Sequence, residues 1–291
     1  DQLYGFNITR LYTLAARAKG YQGLLSVGRV QTPILGLVVR RCRENAAHQK
    51  TYYYLVNGQF EVEGIQFPAR YQVADGDPVD EKGRLSNKEH AEGIAAAVSG
   101  QPARIVSVTT KAKEAAAPLP YNLLKLQMDA SRKFGFKPDQ VKDITQALRE
   151  KHKLITYNRS DCEYLSEEQH GDAPGVLAAI AQTAPMLAAA AQRANPTIKS
   201  RAFNSSKVSA HHAIIPTEST ADLSKLTDAE QKIYLLIARA YVAQFWPKHL
   251  YDQTDVLAQV GDHRFGVRSN VTTSPGWKIL YKNDAGNEDL E

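Results

Sequence analysis

"TDVLAQVGDHRFGVRSNV", residues 254–271, alternates apolar and polar positions on either side of Gly261-Asp262. That pattern belongs to two antiparallel strands joined by a tight turn. An earlier stretch, "TYYYLVNGQFEVEGIQFPARYQV" at residues 51–73, also alternates and carries Asn57-Gly58, the strongest short hairpin signal. "ARIVSVTT", residues 103–110, offers a further strand. Each strand region is too small to fold alone, so the two are expected to join into one antiparallel sheet. The residues between them, about 119–248, then form an inserted helical lobe. A lobe hung from two strands can swing as a rigid body on a few hinge residues. The order helix, sheet, helix, sheet makes the fold class α+β and multidomain.

Working outward, Leu3, Phe6, Leu11, Leu14 and Ala18 follow helical spacing, with Arg10 and Arg17 on another face. A second helix is predicted from about Ser26 or Thr32 to Asn45, with Val30, Ile34, Leu37 and Val38 turned inward. Pro33 fits only a first turn, which places Arg29 and Gln31 near an N-terminus whose amides favour phosphate. Arg40, Arg41 and Arg43 near its end suit either a DNA backbone or the helix dipole. Ser86 to Glu89 spells a capping box for a helix closed by Ser99-Gly100. Helices follow over about 122–134 and from Pro138 to near His152, broken by "FGF". "SEEQ" at 166–169 offers another capped start ahead of an alanine-rich stretch. "HHAIIPT" at 211–217 is predicted to be a loop, and Thr227 to Glu230 to cap a long helix reaching Trp246.

Composition sets outer limits. With 43% apolar residues the chain can bury a sizeable core, and 36 Lys and Arg against 31 Asp and Glu give a charge of +5. That excess permits a polyanionic partner without demanding one. Cys42 and Cys162 lack CxxC or zinc-finger spacing, so neither a structural zinc site nor a disulfide framework is expected, and a reducing cytoplasm fits best. No apolar run approaches the roughly 18 residues that cross a bilayer, so no membrane partner is expected. The chain opens without Met inside a predicted helix, which points to part of a longer polypeptide.

"KLITYNRSDCEYL", residues 153–165, sets Tyr157 among polar and charged groups. A phenol, with a pKa near 10, is a poor nucleophile unless cations or a base assist it. In an extended segment residues 157, 159 and 161 share one side, where Arg159 could hold phosphate oxygens. Asp161 would orient Arg159 or contact the sugar or base of a nucleic acid. On the residues alone, a strand-end tyrosine beside a surface ion pair accounts for this stretch better than a nucleophile does. Tyr52, Tyr53 and Tyr54 read as sheet packing rather than base-stacking residues.

Taken together, "GLLSVGRVQTPILGLVVRR", "KLITYNRSDCEYL" and "SAHHAIIPTE", in this order, resemble the type IA DNA topoisomerases, and specifically the topoisomerase III branch; "PLPYNLLKLQMDASRKFGF" fits the same branch. The resemblance implies a toroid. Residues 1–50 would be a helical single-strand-binding base segment, 51–118 and 249–291 an antiparallel β arch, and 119–248 the inserted helical tyrosine domain. It implies an enzyme that opens one strand through a 5′-phosphotyrosine and religates without ATP, relaxing or decatenating DNA. Tyr157 would be the nucleophile, Arg159 the phosphate stabiliser and His211 a phosphate or proton-transfer residue, with His212 structural. Arg10, Ser26, Arg29, Gln31, Ser160 and Asp161 would contact DNA. The position after the tyrosine is usually proline or methionine in that family; Asn158 here is expected to loosen the backbone. The family's Mg²⁺ sits in an N-terminal Toprim domain, for which this chain shows no acidic D-x-D cluster. Alone, the chain is therefore expected to bind single-stranded DNA as a monomer and not to relax DNA. The competing reading is a non-catalytic single-strand-binding or scaffold module derived from the same fold.

Overall fold

The computed structural model describes residues 2–284. Five strands, β1 (Asn57–Val62), β2 (Ile65–Tyr71), β3 (Arg104–Ala115), β4 (His249–Val260) and β5 (His263–Ser274), form one sheet in the order β1-β2-β5-β4-β3. The two strand regions therefore join: β2 pairs antiparallel with β5, setting Tyr71 opposite Phe265, and β3 runs antiparallel to β4 from Arg104 opposite Gln259 to Ala115 opposite His249. Gly261-Asp262 turns the β4–β5 hairpin, with Val260 opposite His263. The first hairpin differs from expectation. Asn57-Gly58 begins β1, and the turn is made by Glu63 and Gly64, whose φ angles are 51° and 78°. Aromatic packing decides this register: the Phe60 ring lies 5.7 Å from Phe67 and 5.3 Å from Phe265, which keeps Asn57-Gly58 within the strand.

The helical insertion leaves the sheet after β3 and returns into β4, two strands paired along their length. It holds α4 (Leu123–Phe134), α5 (Pro138–Glu150), α6 (Ala173–Thr183), α7 (Pro185–Arg193) and α8 (Asp228–Val242). Asn122 caps α4 by accepting from the Lys125 amide, and Gly135, at φ 71°, ends it as "FGF" suggested. The "SEEQ" box forms, but it opens only a 3₁₀ turn at Glu168–His170. The alanine-rich stretch divides at Ala184-Pro185 because proline lacks the N–H that would continue α6. The box at Thr227 and Glu230 is complete and starts α8. Leu126, Val141, Leu148, Leu154, Ile214 and Ile233 are fully buried in the core these helices share. Where helices meet sheet, Gln244 Nε2 donates to Pro118 O at 2.7 Å and Trp277 Nε1 to Ala115 O at 2.9 Å.

By internal contacts the chain forms two units, Asp1–Asn57 with Val73–Ser99, and Gly58–Gln72 with Gly100–Glu291. The first holds α1 (Gln2–Arg17), α2 (Gln31–Ala46) and α3 (Lys88–Val98). Asn87 rather than Ser86 caps α3, accepting from the His90 amide, because the Ser86 hydroxyl donates to Pro78 O. The tyrosine triplet precedes the sheet instead of joining it: Tyr54 bridges Leu85, and Arg84 lies over the Tyr53 ring. The apolar faces predicted for the first two helices exist but are not inward. Leu3, Phe6, Leu11, Leu14, Val30, Ile34, Leu37 and Val38 are all exposed. Periodicity reports which face is apolar, not what covers it. Among the described residues no helix is long and apolar enough to cross a membrane.

Candidate active site

The approach to Tyr157 begins where Lys153, at φ 59°, turns the chain out of α5. Leu154 and Ile155 are buried and fix the next two positions. The segment then pairs with the "AIIPT" stretch. Thr156 N donates to Ile215 O at 2.9 Å, Ile215 N to Thr156 Oγ1 at 3.1 Å, and Thr217 N to Leu154 O at 3.0 Å. Two short extended arms, distant in sequence, are thereby locked side by side. At their end the Tyr157 and His211 rings lie 4.4 Å apart, inclined at 41°. The Arg149 guanidinium carbon, from the last turn of α5, sits 4.6 Å from the Tyr157 ring centre.

The residues after Tyr157 are held from within. Asn158 is buried, and its Nδ2 donates to Thr145 Oγ1 at 3.1 Å, so this position tightens the loop rather than loosening it. Ser160 is buried as well: its hydroxyl accepts from Cys162 N, and its carbonyl from Leu123 N at the start of α4. Arg159 and Asp161 face outward, and among the described residues no ion pair joins them. The Asp161 carbonyl accepts from Asn122 Nδ2 at 3.2 Å. His212 donates from Nδ1 to Ala213 O at 2.7 Å, a structural use of that ring.

Other tyrosines of the lobe are set apart by their surroundings. Burial pushes the Tyr121 phenol far above its ordinary range, and the Asp129 carboxylate that accepts its hydroxyl at 2.8 Å raises it further. Burial likewise lifts Tyr234 to about 12 and Tyr241 higher still. Burial makes each of these phenols harder to ionise than a free one. Tyr157 is half-buried, beside a guanidinium and an imidazole.

The first unit contains a groove of about 850 Å³ lined by α1, Leu24 and residues 27–29, including Arg10, Arg17 and Arg29. Two threonines one turn apart build it. Thr9 Oγ1 accepts from Val27 N at 2.9 Å and Thr13 Oγ1 from Leu25 N at 3.1 Å, laying the strand-like segment along the helix. Gly5 allows that approach, since a Cβ there would meet Val27 O at 3.3 Å. Ser26 Oγ donates to Gln31 Oε1 at 3.0 Å, so these two residues are engaged with each other. The sequence reading missed both threonines, although their four-residue spacing on α1 was visible.

The sequence model of the DNA topoisomerase family matches residues 1–291. The chain belongs to the DNA topoisomerase family. It is 42% identical over 286 residues to DNA topoisomerase 3 of Vibrio cholerae, covering 96% of this chain and 44% of that protein. It is 41% identical over 283 residues to DNA topoisomerase 3 of Salmonella typhimurium, covering 96% and 43%. These relatives agree with the type IA, topoisomerase III-like motifs. The full-length topoisomerase I of Thermotoga maritima shares the fold, with a TM-score of 0.61 at 22% identity over 93% of this chain and 43% of that one. The chain thus spans less than half the length of the curated relatives it matches.

Within this topoisomerase-family chain the structure brings Tyr157 and His211 into contact and gathers Arg10 and Arg29 around one groove. It leaves Arg159 and Asp161 outward on the tyrosine segment. Among the described residues no group of three or more His, Cys, Asp and Glu is placed together as a metal site. Glu163, the acid nearest in sequence to Asp161, is committed to Lys125 Nζ at 3.0 Å.

Proposed function

We propose that this chain supplies the tyrosine-bearing and strand-holding parts of a type IA DNA topoisomerase that opens one strand, passes another and religates without ATP. The observation that carries the reading is the half-buried Tyr157 phenol, in contact with His211 and Arg149 on a segment locked by backbone and buried side-chain hydrogen bonds. In the step proposed, Tyr157 Oη attacks the phosphorus of a backbone phosphodiester. A P–Oη bond forms, the P–O3′ bond breaks, and the 3′-oxygen leaves and takes a proton from solvent water. The phenol proton passes to a base, for which His211 is the candidate. Attack by the freed 3′-hydroxyl reverses the reaction, which is why no ATP is needed.

Arg159 is exposed and without a hydrogen-bond or ion-pair partner among the described residues, so its fork of donors is available to two non-bridging oxygens. Asp161 reaches the sugar or base. Ser160, with its hydroxyl engaged by Cys162, acts by shaping the turn. Arg10 and Arg29 hold the incoming single strand at the α1 groove, and the mutually bonded Ser26 and Gln31 are further contacts for it. Residues 1–50 serve as the base, 51–118 and 249–291 as the arch, and 119–248 as the tyrosine domain. Mg²⁺ belongs to a Toprim domain in the complete enzyme, and no step above is routed through it. The enzyme acts as a monomer in the cytoplasm. The test is binding: the chain should prefer single-stranded to duplex DNA, with affinity falling as salt rises. Tyr157→Phe should leave that binding intact; equal duplex and single-strand binding at every salt concentration contradicts the reading.

A further inference from the structure

We infer that Arg149 is a positioning residue for Tyr157, and that the face of α5 carrying Thr145 and Arg149 is the platform on which the attacking tyrosine is set. This rests on the reading of Tyr157 as the nucleophile. Thr145 and Arg149 stand four residues apart in α5, one turn, so they share a side. Thr145 is fully buried; its hydroxyl donates to Lys142 O at 2.9 Å and accepts from Asn158 Nδ2 at 3.1 Å. One turn on, the guanidinium carbon of Arg149 is 4.6 Å from the Tyr157 ring centre, inside the ~6 Å reach of a cation–π contact. A single helical turn thus grips two successive loop residues, Asn158 by its amide and Tyr157 by its ring.

An arginine in a last helical turn has an ordinary alternative role, answering the C-terminal dipole. Here Arg149 is half-buried, and among the described residues its partner is the tyrosine ring rather than a carboxylate or a carbonyl. In-line attack needs the phenol oxygen held about 3–3.5 Å from phosphorus. The hydrogen bonds at Thr156 and Asn158 fix the backbone around Tyr157 but leave its two side-chain torsions free. The rings and charge that touch the phenol, His211 and Arg149, are what can restrict them.

The test is single-turnover formation of the covalent adduct by the complete enzyme, beside single-strand affinity and melting temperature. Arg149→Leu is expected to slow adduct formation about tenfold with affinity and melting temperature unchanged, and Arg149→Lys, which keeps the charge, to recover about threefold of that loss. A wild type that forms adduct while Arg149→Leu matches its rate overturns the positioning role and leaves the nucleophile reading standing. Equal loss in both variants with a lowered melting temperature makes Arg149 structural, which also overturns it. A wild type that binds single strands but never forms adduct removes the nucleophile reading, and this inference with it.

Discussion

Asn158 Nδ2 donates to Thr145 Oγ1 at 3.1 Å in a buried contact, tying the residue after the candidate nucleophile to the helix that precedes it. Thr145→Val removes the acceptor and strands a buried amide, a loss of about 1–3 kcal/mol. Asn158→Ala removes the donor instead and leaves Thr145 bonded to Lys142 O, so no buried donor is stranded and it should cost less, about 1 kcal/mol. Urea unfolding of the two variants gives the order; a costlier Asn158→Ala would mean that packing, not the hydrogen bond, holds the loop.

Glu230 closes the capping box of α8 and also accepts from His152 at 3.2 Å. Burial pushes its carboxyl up, but the Thr227 amide and hydroxyl, with His152, hold it below the ordinary range. A carboxyl depressed in the folded state contributes stability that is fully present above its unfolded value, near 4.3. That contribution is lost as pH falls through the lower folded value. The melting-temperature gap between wild type and Glu230→Gln should therefore be full above about pH 5 and narrow below about pH 4. Thr227→Ala should cost about 1 kcal/mol at neutral pH. A gap that widens on acidification contradicts the assignment.

Glu63 makes the first hairpin turn at φ 51°, a conformation that asparagine tolerates better. Glu63→Asn should raise stability by about 0.5 kcal/mol, read as a shift in the urea midpoint at unchanged slope. No gain would mean that β1 and β2 contribute little to global stability.

Arg10 and Arg29 line one groove, and the proposed strand contact there is electrostatic. Replacing either by Ala should weaken single-strand binding and reduce the slope of log affinity against log salt by about 0.7. The measurement is fluorescence anisotropy across a salt series, in which an unchanged slope would take that arginine off the phosphate path.

Much of this architecture was legible in sequence. Alternation around Gly261-Asp262 located the β4–β5 hairpin, and the Thr227 to Glu230 pattern located the start of α8. Local chemistry sufficed in both cases. It failed where distant packing decides: Phe60 against Phe265 moved the first turn from Asn57-Gly58 to Glu63-Gly64, and the apolar faces of α1 and α2 proved exposed. The tyrosine motif was readable only as a resemblance. The Tyr157–His211 contact depends on the pairing of residues 154–156 with 215–217, and Arg149 enters through the end of α5. No residue spacing near Tyr157 announces either one.

In the proposed mechanism Tyr157 carries the DNA by its 5′-phosphate. The direct measurement is covalent capture, in which the complete enzyme with Mg²⁺ is mixed with a single-stranded oligonucleotide labelled at its 3′ end and quenched with denaturant. Label should be retained on the wild type and absent from Tyr157→Phe, with single-strand binding equal in both. Label retained by Tyr157→Phe, or captured only when the 5′ end is labelled, would contradict it.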